Sequence, residues 1–242
     1  MALQAVAAGA KVVISARRRE VLEAVRAESA HPNNVEIVPL DQADLGQSAS
    51  AAEQALAVFG GLDVIVLNGG ISQRSLAIDT DIKVDQQLMT VNHLANVAIV
   101  KSILPQLIAQ PSAKIGVVSS LVGRVGSPYR TGYAASKHAL HGFFDSLRAE
   151  IPETVSVTMV CPGFVKTNVS VNALTGDGSA LGQMDRAQAR GLDVEPSAAR
   201  ALAAIDARKL EVYIAGPEGK AIWLQRFAPR LLARMLRSAK VR

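Results

Sequence analysis

Aromatic side chains make up only 4% of the 242 residues, cysteine occurs once, and no apolar run approaches the roughly 18 residues that cross a bilayer. Each scarcity removes a class of protein. A lone Cys161 cannot close an internal disulfide, so a disulfide scaffold is excluded and the cytoplasm is the expected compartment. A helical membrane-spanning protein is excluded by the missing apolar run. Few aromatics leave little to stack on single-stranded nucleic acid. Acidic residues are nearly missing from 217–242, where Glu218 stands against seven Lys and Arg side chains; that stretch carries +6 and the remainder −1 of a net +5. A nearly neutral body with a basic tail does not fit a nucleic-acid groove binder, and no nucleic-acid partner is expected.

What is present is 49% hydrophobic and 19% charged, ample for one core, with no Pro/Gly-rich linker or repeat to divide residues 1–242. Residues 1–10 are apolar but lack the basic start of a secretion signal and lead straight into a strand-like run, so they read as helix followed by strand. Strand-like runs at 11–16, 35–40, 62–67, 114–119, 155–160 and 211–215 alternate with helical segments. The first two are continuous and rich in β-branched residues, as parallel strands covered on both faces require. The expected fold is α/β, a doubly wound parallel sheet. One long loop-like stretch, 162–195, lies where such folds place functional loops. Ligands in these folds sit beyond the carboxyl ends of the strands, so the residues following each run matter most.

After the third run comes Asn68-Gly69-Gly70, after the fourth Ser119-Ser120, and after the fifth Pro162-Gly163-Phe164-Val165-Lys166-Thr167. Tyr133 and Lys137 stand at i and i+4, on one helix face. Hydride transfer to a carbonyl leaves an alkoxide that needs a proton, and an ordinary tyrosine, of pKa near 10, is a poor partner near neutrality. A lysine ammonium about 4 Å away, at an effective dielectric near 20, would stabilise the phenolate by up to roughly 4 kcal/mol. A serine can then hydrogen-bond the oxygen where charge develops. Spacing favours Ser120, with Ser119 left open. His138 and His141 with Asp145 share helical spacing but read as a polar helix face, so no metal is expected, and Cys161 reads as a small buried hydrophobe.

Taken together, Val91-Asn92, Ser120, Tyr133, Lys137, the Asn-Gly-Gly strand end and the Pro-Gly-x-x-x-Thr strand end resemble the short-chain dehydrogenase/reductase (SDR) family. The stretches 117–124 and 133–140 are most similar to its hydroxysteroid and retinoid-reductase branch. The resemblance implies a Rossmann fold over about residues 9–215 and a carbonyl–alcohol oxidoreductase. It assigns Tyr133 as general acid/base, Ser120 as carbonyl partner, Lys137 to the cofactor ribose and proton path, and Asn92 to a proton relay. It also assigns Asp41 to the adenine, Asn68, Gly69 and Gly70 to the adenosine ribose, and Pro162, Gly163, Val165 and Thr167 to the nicotinamide and phosphates. The strand end Leu67-Asn68-Gly69-Gly70 departs from the family's more usual Asn-Asn-Ala-Gly.

After the first strand, where an NAD site needs a carboxylate, the chain reads Ser15-Ala16-Arg17-Arg18-Arg19. Arg17 and Arg18 suit a 2′-phosphate, so NADP is the expected cofactor. The family's opening strand and glycine-rich phosphate turn have no counterpart, so the fold is expected to be N-terminally truncated by about twenty residues, with a natural start upstream. The alternative is a truncated, non-catalytic relative acting as a binding or scaffold protein. Phe164, Val169, Val171, Leu174, Leu181 and Met184 around the long loop favour an apolar carbonyl or alcohol substrate. Steroid, retinoid or lipid carbonyls, and a homodimer or tetramer, are implied only by resemblance. From about residue 219, apolar residues recur at helical spacing with Arg226, Arg230 and Arg234 on another face and Pro229 as a kink. That basic amphipathic helix is expected either to make a peripheral membrane contact or to pack over the substrate cleft or a dimer interface.

Overall fold

The computed structural model describes residues 1–238. Its first half runs α1 (Ala2–Ala7), β1 (Val12–Ile14), α2 (Arg19–Glu28), β2 (Val35–Ile37), α3 (Leu45–Val58), β3 (Val64–Leu67), α4 (Ile82–Met89) and α5 (Ala95–Ala109). The second half runs β4 (Ala113–Val118), α6 (Thr131–Glu150), β5 (Val155–Pro162), α7 (Arg186–Ala189), α8 (Val194–Asp206), β6 (Glu211–Ile214), α9 (Lys220–Phe227) and α10 (Pro229–Ser238). All six expected strands form, and every ladder is parallel.

The strands make two ladders, β1–β2 and β3–β4–β5–β6. Alternation along the four-stranded sheet sorts its side chains onto two faces. Ile115, Val117, Val157, Met159 and Cys161 point into a cluster with Ile103 and Leu107 of α5 and Leu140 and Phe144 of α6. Val66, Val118, Val160 and Ile214 point the other way, against Ala201 and Ile205 of α8. Helices thus cover both faces, as the run of apolar residues requires. On the second face Gly116 lets α8 come close: a Cβ there would stand 2.3 Å from the Ile205 Cδ1 atom. β1 and β2 have a core of their own, built from Val6, Ile14, Leu22 and Val35.

Two expectations change. Asn92 does not sit in an ordinary helix: residues Thr90–Leu94 form a π-helical turn between α4 and α5. Such turns insert a residue into the helical ladder and are frequent at functional sites. The tail is not one kinked helix but two, broken at Ala228, with Pro229 opening α10 where its missing N–H costs nothing. Residues 239–242, the end of that expected helix, lie outside the described residues.

Candidate active site

The carboxyl ends of β3, β4 and β5 open into a cavity of about 710 Å³. Asn68, Gly70, Ser120, Tyr133, Lys137, Pro162, Gly163, Val165 and Thr167, nine of the sequence-assigned residues, line it. Gly69 turns away, toward the side chain of Gln42, and Asn92 lies buried behind the wall. Arg17, Arg18 and Asp41 are outside the cavity lining. The Leu40 N–H donates to the Ala16 carbonyl at 3.1 Å, so Arg17 and Asp41 leave their strands side by side.

Tyr133 reaches the cavity from the first turn of α6, a helix whose own N-cap position, Arg130, supplies no capping side chain. Gln73 caps it from a distance. Its buried side-chain oxygen accepts from the backbone N–H of Gly132 at 2.9 Å and of Tyr133 at 3.2 Å, meeting two of the helix's orphan donors. Its amide nitrogen donates to Ser75 and Thr80, which fixes its orientation. Gly132 is needed because α4 crosses here, with Asp85 Oδ1 2.1 Å from where a Cβ would be.

The two serines differ in their partners. The Ser120 hydroxyl donates to the Pro162 carbonyl at 3.4 Å, accepts from the Val122 N–H at 3.3 Å, and stands near enough to the Tyr133 phenol to lower it. Ser119 points to the opposite side, where its Oγ meets His141 Nε2 at 3.0 Å. Tyr133 keeps part of its ring open to the cavity, but dense protein around it pushes the phenol above its ordinary pKa. The nearby Ser120 hydroxyl and the positive charges of Arg130 and Arg74 pull the other way. Lys137, whose Nζ lies 6.0 Å from the ring centroid, is not among the groups that lower Tyr133, a correction to the expectation of a lysine-tuned phenol. Lys137 is itself the perturbed group: burial lowers it from 10.5 to about 8. Its ammonium donates to the Val118 carbonyl at 2.9 Å.

Asn92 fastens the strand end to α6. Its amide accepts from the Ile71 N–H at 2.8 Å and donates to the Ile71 carbonyl and the Ser136 hydroxyl, each at 2.9 Å. Gly70 then lies so close that a Cβ would be 3.0 Å from Asn92 Oδ1 and 3.4 Å from Lys137 Nζ. A bound group can approach the backbone only because that Cβ is missing.

Behind Ser119, His141, Cys161 and Glu211 bring ligand-type atoms within 4.8 Å of one another. The Glu211 carboxylate is already gripped by Arg124 at 3.1 and 3.2 Å and accepts from the Cys161 thiol at 3.2 Å. Burial pushes that thiol up and holds His141 down at about 4, so the cluster is a neutral imidazole and thiol beside an ion pair. His138 bonds its own helix at Ala134.

Of the expected apolar substrate residues, Phe164 and Val169 line the cavity with Val165. Leu174 instead packs beneath Tyr133 with Val84 and Leu88, and Met184 faces solvent. Val118, Leu121, Val125, Ala198, Ala201 and Leu236 complete an apolar wall. The two cationic lining residues that sequence reasoning missed are Arg74 and Arg130. Nothing local marks them, because the carboxylate that organises them, Asp185, is 111 residues from Arg74.

A doubly wound parallel sheet with a tyrosine and a lysine on one helix face, opening on a cleft at the strand ends, defines an α/β oxidoreductase. The short chain dehydrogenase family model matches residues 1–177, and the chain belongs to that family. It is 39% identical over 241 residues to "Dehydrogenase/reductase SDR family member 7B" of Bos taurus, covering 96% of this chain and 74% of that relative. A short chain dehydrogenase/reductase of Burkholderia phymatum, solved in complex with NAD, shares the fold at TM-score 0.78 and 21% identity, over 91% of this chain and 85% of its own. ElxO, solved with NADP bound, matches at TM-score 0.64 and 27% identity over 68% of each chain. Of these two solved structures, the one holds NAD and the other NADP.

Proposed function

We propose that this chain is an NADP(H)-dependent oxidoreductase interconverting a carbonyl and an alcohol on a small molecule with a substantial apolar body. The observation that carries the reading is that Ser120, Tyr133 and Lys137 line one largely apolar cavity, with Lys137 one helical turn beyond Tyr133. Bound NADP(H) supplies the hydride. The chain's own residues handle the oxygen and the proton: Ser120 hydrogen-bonds the substrate oxygen, and Tyr133 gives it a proton on reduction and takes one on oxidation. Lys137 keeps its charge up to about pH 8 and fixes a positive centre beside Gly70.

The described residues fit the nicotinamide and ribose half of the cofactor. The Cβ-free wall at Gly70 admits a ribose against Lys137, and Pro162, Gly163, Val165 and Thr167 face it across the cavity. NADP over NAD is supported by Arg17 and Arg18, both exposed just after β1, where a 2′-phosphate would be met by guanidinium groups. The test is NADPH and NADH titration with Tyr133→Phe alongside. Expected are tighter NADPH binding, unchanged in the variant, and a drop in kcat of about 10²- to 10⁴-fold on an alicyclic ketone. Full turnover by Tyr133→Phe would sink the assignment.

The tail supports both roles expected of it. Leu232 is buried and Leu236 lines the cavity, so α10 covers the cleft. Its outer side and α9 present Trp223, Phe227, Leu231 and Met235 to solvent beside Arg226, Arg230 and Arg234. We propose that this surface meets an anionic membrane. Co-sedimentation with vesicles containing phosphatidylserine is expected, and Trp223→Ser/Phe227→Ser is expected to abolish it; equal partition of both proteins would refute the contact.

A further inference from the structure

We propose that the substrate carries an anionic group, a carboxylate or phosphate, which docks on Arg130 and Arg74 in the catalytic cavity. The inference rests on the carbonyl–alcohol reading of that cavity and names its substrate more closely. Both arginines line the cavity, and both are nearly fully buried, at 4% and 7% exposure. One carboxylate serves them. Asp185 Oδ2 accepts from Arg74 Nε at 2.7 Å, with Arg74 Nη2 also at 2.7 Å, while Arg130 Nη2 reaches it only at 3.5 Å. Arg74 spends its remaining terminal nitrogen on the Ser72 hydroxyl and the Gln73 carbonyl, both at 2.7 Å. Arg130 has a single shorter bond, to Ser127 at 3.1 Å, and its guanidinium lies over the Phe164 ring at 5.7 Å.

Two buried cations against one buried anion leave a positive charge that folding alone does not favour, since an uncompensated charge out of water is costly. The strain is visible at Arg130, where burial and the neighbouring Arg74 charge lower the guanidinium to about 10. The acid on the cavity wall, Glu218, is turned to the backbone N–H groups of Phe164 and Gly216, each at 3.2 Å. The position is also chemically suitable. Arg130 is three residues before Tyr133, and Arg74, Arg130 and Tyr133 line one cavity, so an anion docked here shares that cavity with the reacting oxygen and lies within electrostatic reach of it. With the apolar wall around it, the cavity is matched to an amphiphile: an apolar chain, an oxidisable centre and a charged end.

The test is equilibrium binding of decanoate and 1-decanol, equal in chain length and differing in charge, by calorimetry on the full chain and on Arg130→Gln and Arg130→Lys. Arg130→Gln leaves the Arg74–Asp185 pair intact, so the fold is kept. Decanoate is expected to bind at least about tenfold more tightly than decanol, the advantage to be lost in Arg130→Gln and largely kept in Arg130→Lys. Equal affinities, absence of decanoate binding, or an advantage that survives in Arg130→Gln would overturn the proposal. NADPH binding measured in the same titrations tests the redox reading separately, and its loss with decanoate preference intact would leave the anion site standing.

Discussion

Lys137 combines a charge with almost complete burial, and the cost of that combination is set by its pKa. The folded value is about 8 against an ordinary 10.5, because burial disfavours the ammonium. Between those pH values the unfolded chain holds the extra proton, so stability rises with pH through the window; below pH 8 both states are protonated and the cost is constant. At pH 7 it amounts to roughly 3 kcal/mol. Lys137→Met is therefore expected to abolish activity while raising stability at pH 7 by up to about 3 kcal/mol, with the gain fading towards pH 10. Denaturant unfolding at the two pH values checks this. A variant less stable than the parent at pH 7 would mean that the bond from Nζ to the Val118 carbonyl outweighs the desolvation.

At the level of elements, the site depends on how α6 is held at its start. Gln73→Ala removes both acceptor bonds to the helix terminus and leaves Gly132 and Tyr133 with buried, unpaired N–H groups. A loss of about 1–3 kcal/mol in stability is expected, together with a fall in kcat as the helix start loosens, read by denaturation and steady-state kinetics. Unchanged kcat in a destabilised variant would show that Tyr133 is positioned by α4 packing instead. Such contacts explain which parts of the molecule were legible beforehand. The six strands announce themselves by β-branched runs, and Ser120, Tyr133 and Lys137 by spacing within or just after one element. Gln73, Arg74 and Asp185 act across 59 to 111 residues and carry no local pattern. The π turn at Asn92 leaves no trace in composition, and Pro229 marks a break that its sequence alone does not distinguish from a kink. Ser119 and Ser120, adjacent in sequence, are separated only once the extended backbone turns one to His141 and the other to the Pro162 carbonyl.

On the scale of the whole molecule, two ladders with separate cores predict uneven cooperativity. The β1–β2 pair rests on a small cluster around Val6 and Leu22, whereas β4 and β5 are buried on both faces. Amides of 12–14 and 35–37 are expected to exchange with deuterium well before those of 113–118 and 155–162 under native conditions. Equal protection would show that the two ladders open as one unit. At the other end of the chain, the exposed pair of stacked rings has a use in the laboratory. Trp223, stacked on Phe227 with ring centroids 5.7 Å apart, is the only tryptophan in the sequence. An indole in water emits further to the red than one in hydrocarbon, and here no second indole blurs the signal. The native fluorescence of the unlabelled protein is thus an optical gauge of one surface alone, shifting blue at the moment that surface leaves water.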